Sequence, residues 1–92
     1  MKVKRVPHHP ELILVDNGDE NESYFAKIES TLLASFSAKK TKELEGLDEI
    51  YIDFDFEGNS VILAWNALAG ISIVCKNADL EEKIFQHLQN LK

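Results

Sequence analysis

The stretch Glu49 to Trp65, EIYIDFDFEGNSVILAW, decides how the chain folds, because apolar and polar residues alternate on both sides of a Gly58-Asn59 pair. Alternation with period two marks half-buried strands, and a short glycine-containing break between two such runs marks a β-hairpin. With Gly58 and Asn59 as a two-residue turn, Glu57 faces Ser60, and Phe56, Phe54 and Ile52 face Val61, Leu63 and Trp65. The apolar six share one face. Asp55, Asp53 and Tyr51, opposite Ile62, Ala64 and Asn66, share the other, because successive strand side chains point to opposite sides. A slip of one residue would carry Asp53 and Asp55 into the apolar layer, where unpaired charge costs far more than a turn can offset.

Downstream, Asn66 to Gly70 reads as a second turn, and Ile71, Ile73 and Cys75 alternate in a further strand. Pairing Trp65 with Ile71 puts these three on the core face. A last helix is expected from Asp79, where Glu82 completes an Asp-based capping box and Leu80, Ile84, Leu88 and Leu91 form the apolar stripe. Upstream, Ser37 to Leu44, with Lys39, Lys40 and Lys42, fits an edge strand guarded by lysines. Before it, Asp19 and Glu22 have capping-box spacing, and Phe25, Ile28, Leu32 and Phe36, widened by Tyr24 and Leu33, recur at helical spacing. Leu12 to Val15 fits a short strand. Pro7 and Pro10 hold His8 and His9 in an extended or turned segment, and the opening MKVKRV lacks the apolar run of a secretory signal. The expected fold is α+β: an antiparallel meander of four to five strands with two helices packed on one face.

The 92 residues are expected to form one domain, 1–92, burying roughly 60 to 65 per cent of the unfolded surface. Apolar residues at 45 per cent against 28 per cent charged argue for a packed core and against disorder. The single cysteine, Cys75, makes no intramolecular disulfide, and no apolar run is long enough for a membrane helix, which fits a cytoplasmic protein. On the predicted core face the Cys75 thiol acts as a small hydrophobe.

Charge is unevenly distributed. Residues 1–42 hold seven Lys/Arg against six Asp/Glu, whereas residues 43–92 hold three against ten. Glu43, Glu45, Asp48, Glu49, Asp53, Asp55 and Glu57 follow one another with no cation between them, which disfavours nucleic acid and anionic membranes as partners. Asp53 and Asp55 share a strand face, as the paired carboxylates of some metal-dependent nucleotidyl-transfer enzymes do. Their expected cross-strand neighbours, Ala64 and Ile62, supply none of the further oxygens a divalent ion wants. Adjacent His8 and His9 point to opposite sides of a strand and lack zinc-site spacing. Gly70 stands outside any phosphate-loop pattern, and His87 falls near the exposed edge of the last helix. No cofactor is implied.

The segment Leu47 to Val74, LDEIYIDFDFEGNSVILAWNALAGISIV, resembles the sheet region of small bacterial immunity proteins of contact-dependent and other polymorphic toxin systems. The resemblance lies in the aromatic-acidic strand Tyr51 to Glu57 with Gly58, and in the entry Gly70-Ile71-Ser72-Ile73 to the next strand. It implies a cytoplasmic inhibitor of a cognate toxin, commonly a nuclease, and carries over no binding residue. The chemistry runs the same way, since a phosphate-binding nuclease is basic and an acidic domain is drawn to it. The expected binding residues are Asp48, Glu49, Tyr51, Asp53, Asp55 and Glu57, facing a basic partner. A small metal-dependent hydrolase using Asp53 and Asp55, and an interaction or oligomerisation module, are the alternatives.

Overall fold

The structure is a computed structural model that describes residues 2–15, 21–68 and 70–91. Its centre is the expected hairpin, formed by β4 (Glu49–Phe56) and β5 (Asn59–Asn66). The turn sits one residue earlier than the sequence reading placed it. Phe56 pairs with Asn59, Phe54 with Val61, Ile52 with Leu63 and Ile50 with Trp65, so Glu57 and Gly58 are the two turn residues. Both have positive φ, 50° and 87°. This is the type I′ pattern, in which glycine takes the second central position, as in Asn-Gly. The expected partners of Phe56, Phe54 and Ile52 are corrected accordingly, yet the faces survive: moving the turn by one residue moves each pairing by two, and an even shift preserves parity.

Among the described residues the sheet has six strands, more than the four or five expected, in the order β1-β2-β6-β5-β4-β3, with all neighbours antiparallel. The added strand is β1 (Val3–Val6), a hairpin with β2 (His9–Val15). Pro7 followed by His8 at φ 69° gives that hairpin the pattern of a type II turn. Helix α1 (Asn21–Ala34) then takes the chain from β2 to the opposite edge, where β3 (Lys39–Glu45) begins a meander that returns through β4 and β5 to β6 (Gly70–Cys75) beside β2. Trp65 pairs with Ile71, as expected. Helix α2 (Ala78–Gln89) closes the fold.

Both helices cover one face. Phe25, Ile28 and Leu32 of α1 and Leu80, Ile84 and Leu88 of α2 join Ile13, Val15, Ile52, Phe54, Val61, Leu63, Ile71, Ile73 and Cys75 in one buried cluster. Phe56 and Trp65, expected in the core, pack against it half-buried, and Leu33 is exposed. The expected Asp19 cap lies outside the described residues. The cap of α2 is Asn77, whose side chain accepts the Leu80 N–H at 3.0 Å, and Asp79 falls in the first turn, where its charge suits the helix dipole. No helix is long and apolar enough to cross a membrane.

One strong polar tie holds the outer hairpin to α2. Glu81 is 4 % exposed and receives Arg5 Nε at 3.1 Å and Nη2 at 2.9 Å, while Arg5 also reaches Glu82 and lies 4.0 Å from the centre of the Phe85 ring. The hydrogen bonds to Glu81, above all, raise the guanidinium pKa further.

The turn and the Arg5–Glu81 pair each set an expected change in stability. Glu57→Asn should stabilise by roughly 0.5–1 kcal/mol, because Asn tolerates the left-handed backbone that glutamate resists, and Gly58→Ala should cost roughly 1–2 kcal/mol. Thermal melts showing Glu57→Asn less stable than wild type would contradict the turn assignment. Removing the two ends of the Arg5–Glu81 pair should be unequal. Arg5→Ala leaves a buried carboxylate and should cost about 2–3 kcal/mol, discounted from a fully buried pair because Arg5 is part-exposed, whereas Glu81→Leu leaves a cation that water and Glu82 still serve. Equal losses in urea denaturation would show that burial of Glu81 does not matter.

Candidate functional site

The face opposite the helices is open, and the register fixes what lies on it. One row across the sheet runs Lys4, Leu14, Ser72, Ala64, Tyr51, Leu44, and the next runs Leu12, Val74, Ile62, Asp53, Lys42. Leu12, Leu14, Ile62, Ala64 and Val74 are half-exposed, so the middle of the face is apolar and accessible without being fully bare. Asp53 and Asp55 lie beside this strip, also half-exposed.

The six expected binding residues do not all converge. Glu49, Tyr51, Asp53 and Asp55 form a row along β4 on the open face. Asp48 and Glu57 lie in the turns at its two ends, about 30 Å apart for nine residues of extended chain. Tyr51 donates its hydroxyl to Glu49 at 3.2 Å, which raises the phenol pKa. Glu57 is held in a left-handed turn conformation.

The neighbouring strand changes the electrostatics of that row. β3 carries a bulge between Lys40 and Lys42, with Thr41 as the extra residue, and Thr41 Oγ1 donates to the Asp53 carbonyl at 3.2 Å. The bulge puts Lys39 and Lys42 on the same face although they are three residues apart, and they sit opposite Asp55 and Asp53. Lys40 turns to the helix side, where Glu29 and Glu43 bind it and raise its pKa. Thus the two aspartates have lysines as cross-strand neighbours on one side and Ser60 and Ile62 on the other. Among the described residues no three His, Cys, Asp or Glu side chains gather closely enough to hold a metal ion.

Several features had no clear local signal. Arg5 and Glu81 are 76 positions apart, and neither stands out in its own segment. Leu47 and Leu68 lie in the turns after β3 and β5, where no sequence pattern singled them out. Both are fully exposed, on adjacent turns joined by the Ala67 N–H to Asp48 carbonyl hydrogen bond of 2.9 Å. His87 is exposed and meets Phe36 edge-on, with ring centres 5.4 Å apart. His8 and His9 are exposed in the first hairpin, with His9 Nδ1 3.5 Å from Glu11.

No family model, curated protein or solved structure matches the chain. The assignment of a role therefore rests on the surface just described.

Cys75 belongs to the core rather than to the face. It is buried, its Sγ donates to the Asn77 carbonyl at 3.6 Å, and burial above all pushes the thiol pKa up. A neutral, enclosed thiol should react with a maleimide orders of magnitude more slowly in the native protein than in urea. Fast native labelling at pH 7 would place Cys75 outside the core.

Proposed function

We propose that the chain is a non-enzymatic binding protein of the immunity type, acting in the cytoplasm by covering a basic toxin domain, a nuclease being the toxin chemistry that best suits an acidic inhibitor. The observation that carries this reading is the β4 row Glu49, Tyr51, Asp53 and Asp55, beside an accessible apolar strip on a sheet face that neither helix covers. Apolar contact area next to fixed charge and a tyrosine is the make-up of a protein interface. The net charge of −6 adds attraction at long range, which speeds encounter with a basic partner and weakens as salt rises.

The lysines of β3 decide how this should be tested. Asp53→Lys with Asp55→Lys puts like charges opposite Lys42 and Lys39, so it costs stability as well as binding. Asp53→Asn with Asp55→Asn removes the charge without that penalty. The experiment isolates a basic toxin partner by co-purification and then measures affinity at low and moderate salt. If the aspartates meet buried cations, the Asn pair should lose about 2 to 5 kcal/mol, some thirtyfold to several-thousandfold in Kd, while the variant stays folded with at most a small fall in melting temperature from the lost cross-strand charge pairs. Unaltered affinity in the folded variant would reject this face as the interface, and a bound partner with an acidic contact surface would reject the electrostatic reading altogether.

A further inference from the structure

Folding places cations beside the acids of the second half unevenly. Lys39 and Lys42 stand beside Asp55 and Asp53, Lys40 binds Glu43 and Glu29, and Arg5 binds Glu81 and Glu82. At the end of the sheet where β3 turns into β4, no cation stands beside the acids among the described residues. A groove of about 240 Å³ opens there between the start of α1 and the β3–β4 turn, rimmed by Glu22 and Glu45 and floored by Phe25, Ile50 and Trp65, with no lysine or arginine among the described residues that line it. Glu45, Ile50 and Trp65 lie in one register row on the helix side of the sheet. Glu22 and Phe25 in the first turns of α1 line the groove beside this row, and Ile50 and Trp65 stay half-exposed. Leu47 projects from the rim into solvent, and Leu68 does so from the adjoining turn.

We infer that this groove receives a lysine or arginine side chain of a basic protein partner, with Leu47 and Leu68 as apolar contacts at its edge. The inference rests on the reading that the chain binds a basic protein, and adds where the partner is anchored. Three properties select this occupant. The volume is below the roughly 300–1,000 Å³ of ordinary small-molecule sites, and suits one long side chain. An aromatic and aliphatic floor takes the alkyl stem of Lys or Arg, and an indole face is the best aromatic partner for its charged head. Two carboxylates at the rim, with no cation between them among the described residues, then meet that head. The open face differs on this last point, since its aspartates already have lysines across from them.

Trp65 is the one tryptophan in the chain, so its fluorescence reports on the groove directly. The probe is the peptide acetyl-Leu-Arg-Leu-Arg-amide, with the same peptide carrying citrulline for arginine as the neutral control. Wild type should bind the arginine peptide about tenfold more tightly than the citrulline peptide, as loss of a charge-assisted hydrogen bond implies. Glu22→Gln with Glu45→Gln should erase that difference, and Asp53→Asn with Asp55→Asn should keep it. Leu47→Gln, at a fully exposed position where folding is not at stake, should weaken binding severalfold. Equal affinity for the two peptides, or a difference abolished by the Asp53/Asp55 variant instead, overturns the groove as anchor. So does a Trp65 shift that appears with rising protein concentration alone, because the occupant is then a second copy of this chain. These outcomes separate from the fate of the immunity reading. A toxin complex lost in the Asp53/Asp55 variant but indifferent to Glu22 and Glu45 sinks the groove alone, whereas arginine-selective binding by a protein whose partner proves acidic sinks the toxin reading alone.

Discussion

A sheet has two faces, and this fold supplies helices for only one of them. That constraint governs the rest of the structure. With α1 and α2 on the same side, the four inner strands β2, β6, β5 and β4 must put large apolar residues at alternate positions facing them, and whatever occupies the remaining positions meets water. Ile52 and Phe54 are therefore dry while Asp53 between them is half-exposed, and Ile71, Ile73 and Cys75 are dry while Ser72 and Val74 are not. The open face is the remainder left by core formation. Its apolar members, Leu12, Leu14, Ile62 and Val74, are the residues that core packing does not require.

Parity also explains which readings of the sequence were robust. The faces of β4, β5 and β6 and the stripes of both helices were legible because period-two and period-3.6 patterns report burial directly. The lysine-guarded edge was legible because Lys39, Lys40 and Lys42 interrupt an otherwise strand-like run. The turn of the central hairpin was misplaced because both dipeptides contain Gly58, and only the backbone shows that Glu57 accepts a positive φ to let Gly58 take the second position. Strand β1 was missed because VKRV carries two cations in four residues, and it exists through its pairing with β2. The cap at Asn77 was overlooked in favour of Asp79 because both stand near the start of the apolar stripe. The candidate site was legible as a row of acids on one strand. Its neighbours were not, since the bulge at Thr41 that brings two lysines opposite them leaves no local mark in the sequence.

The electrostatics show how topology rearranges what a charge count suggests. In sequence, the cations and the surplus of acids fall into different halves. In space, α1 delivers the lysine-rich β3 to the edge beside β4, and the β1–β2 hairpin brings Arg5 to α2. Each transfer sets a cation from the first half beside acids from the second. The net charge is unchanged by this, so the long-range attraction, screened beyond a Debye length of roughly 8–10 Å at physiological salt, is much the same whatever the arrangement. At contact distance the arrangement is everything.

That distinction bears on how an acidic surface of this kind can discriminate among partners. A uniform negative face attracts any basic protein and fixes no register, because every displacement along it meets the same potential. A face on which Asp53 and Asp55 alternate with Lys42 and Lys39 is different: a partner shifted by one strand spacing of about 4.8 Å meets the opposite sign. Combined with an end of the sheet where Glu22, Glu45, Asp48 and Glu49 lie around exposed leucines, the surface presents a polar pattern on one side and a concentrated charge with apolar edges on the other. The bulge at Thr41 is what makes this possible. Without the extra residue, only one of Lys39 and Lys42 would share a face with the aspartates, and the open face would keep its attraction while losing its register.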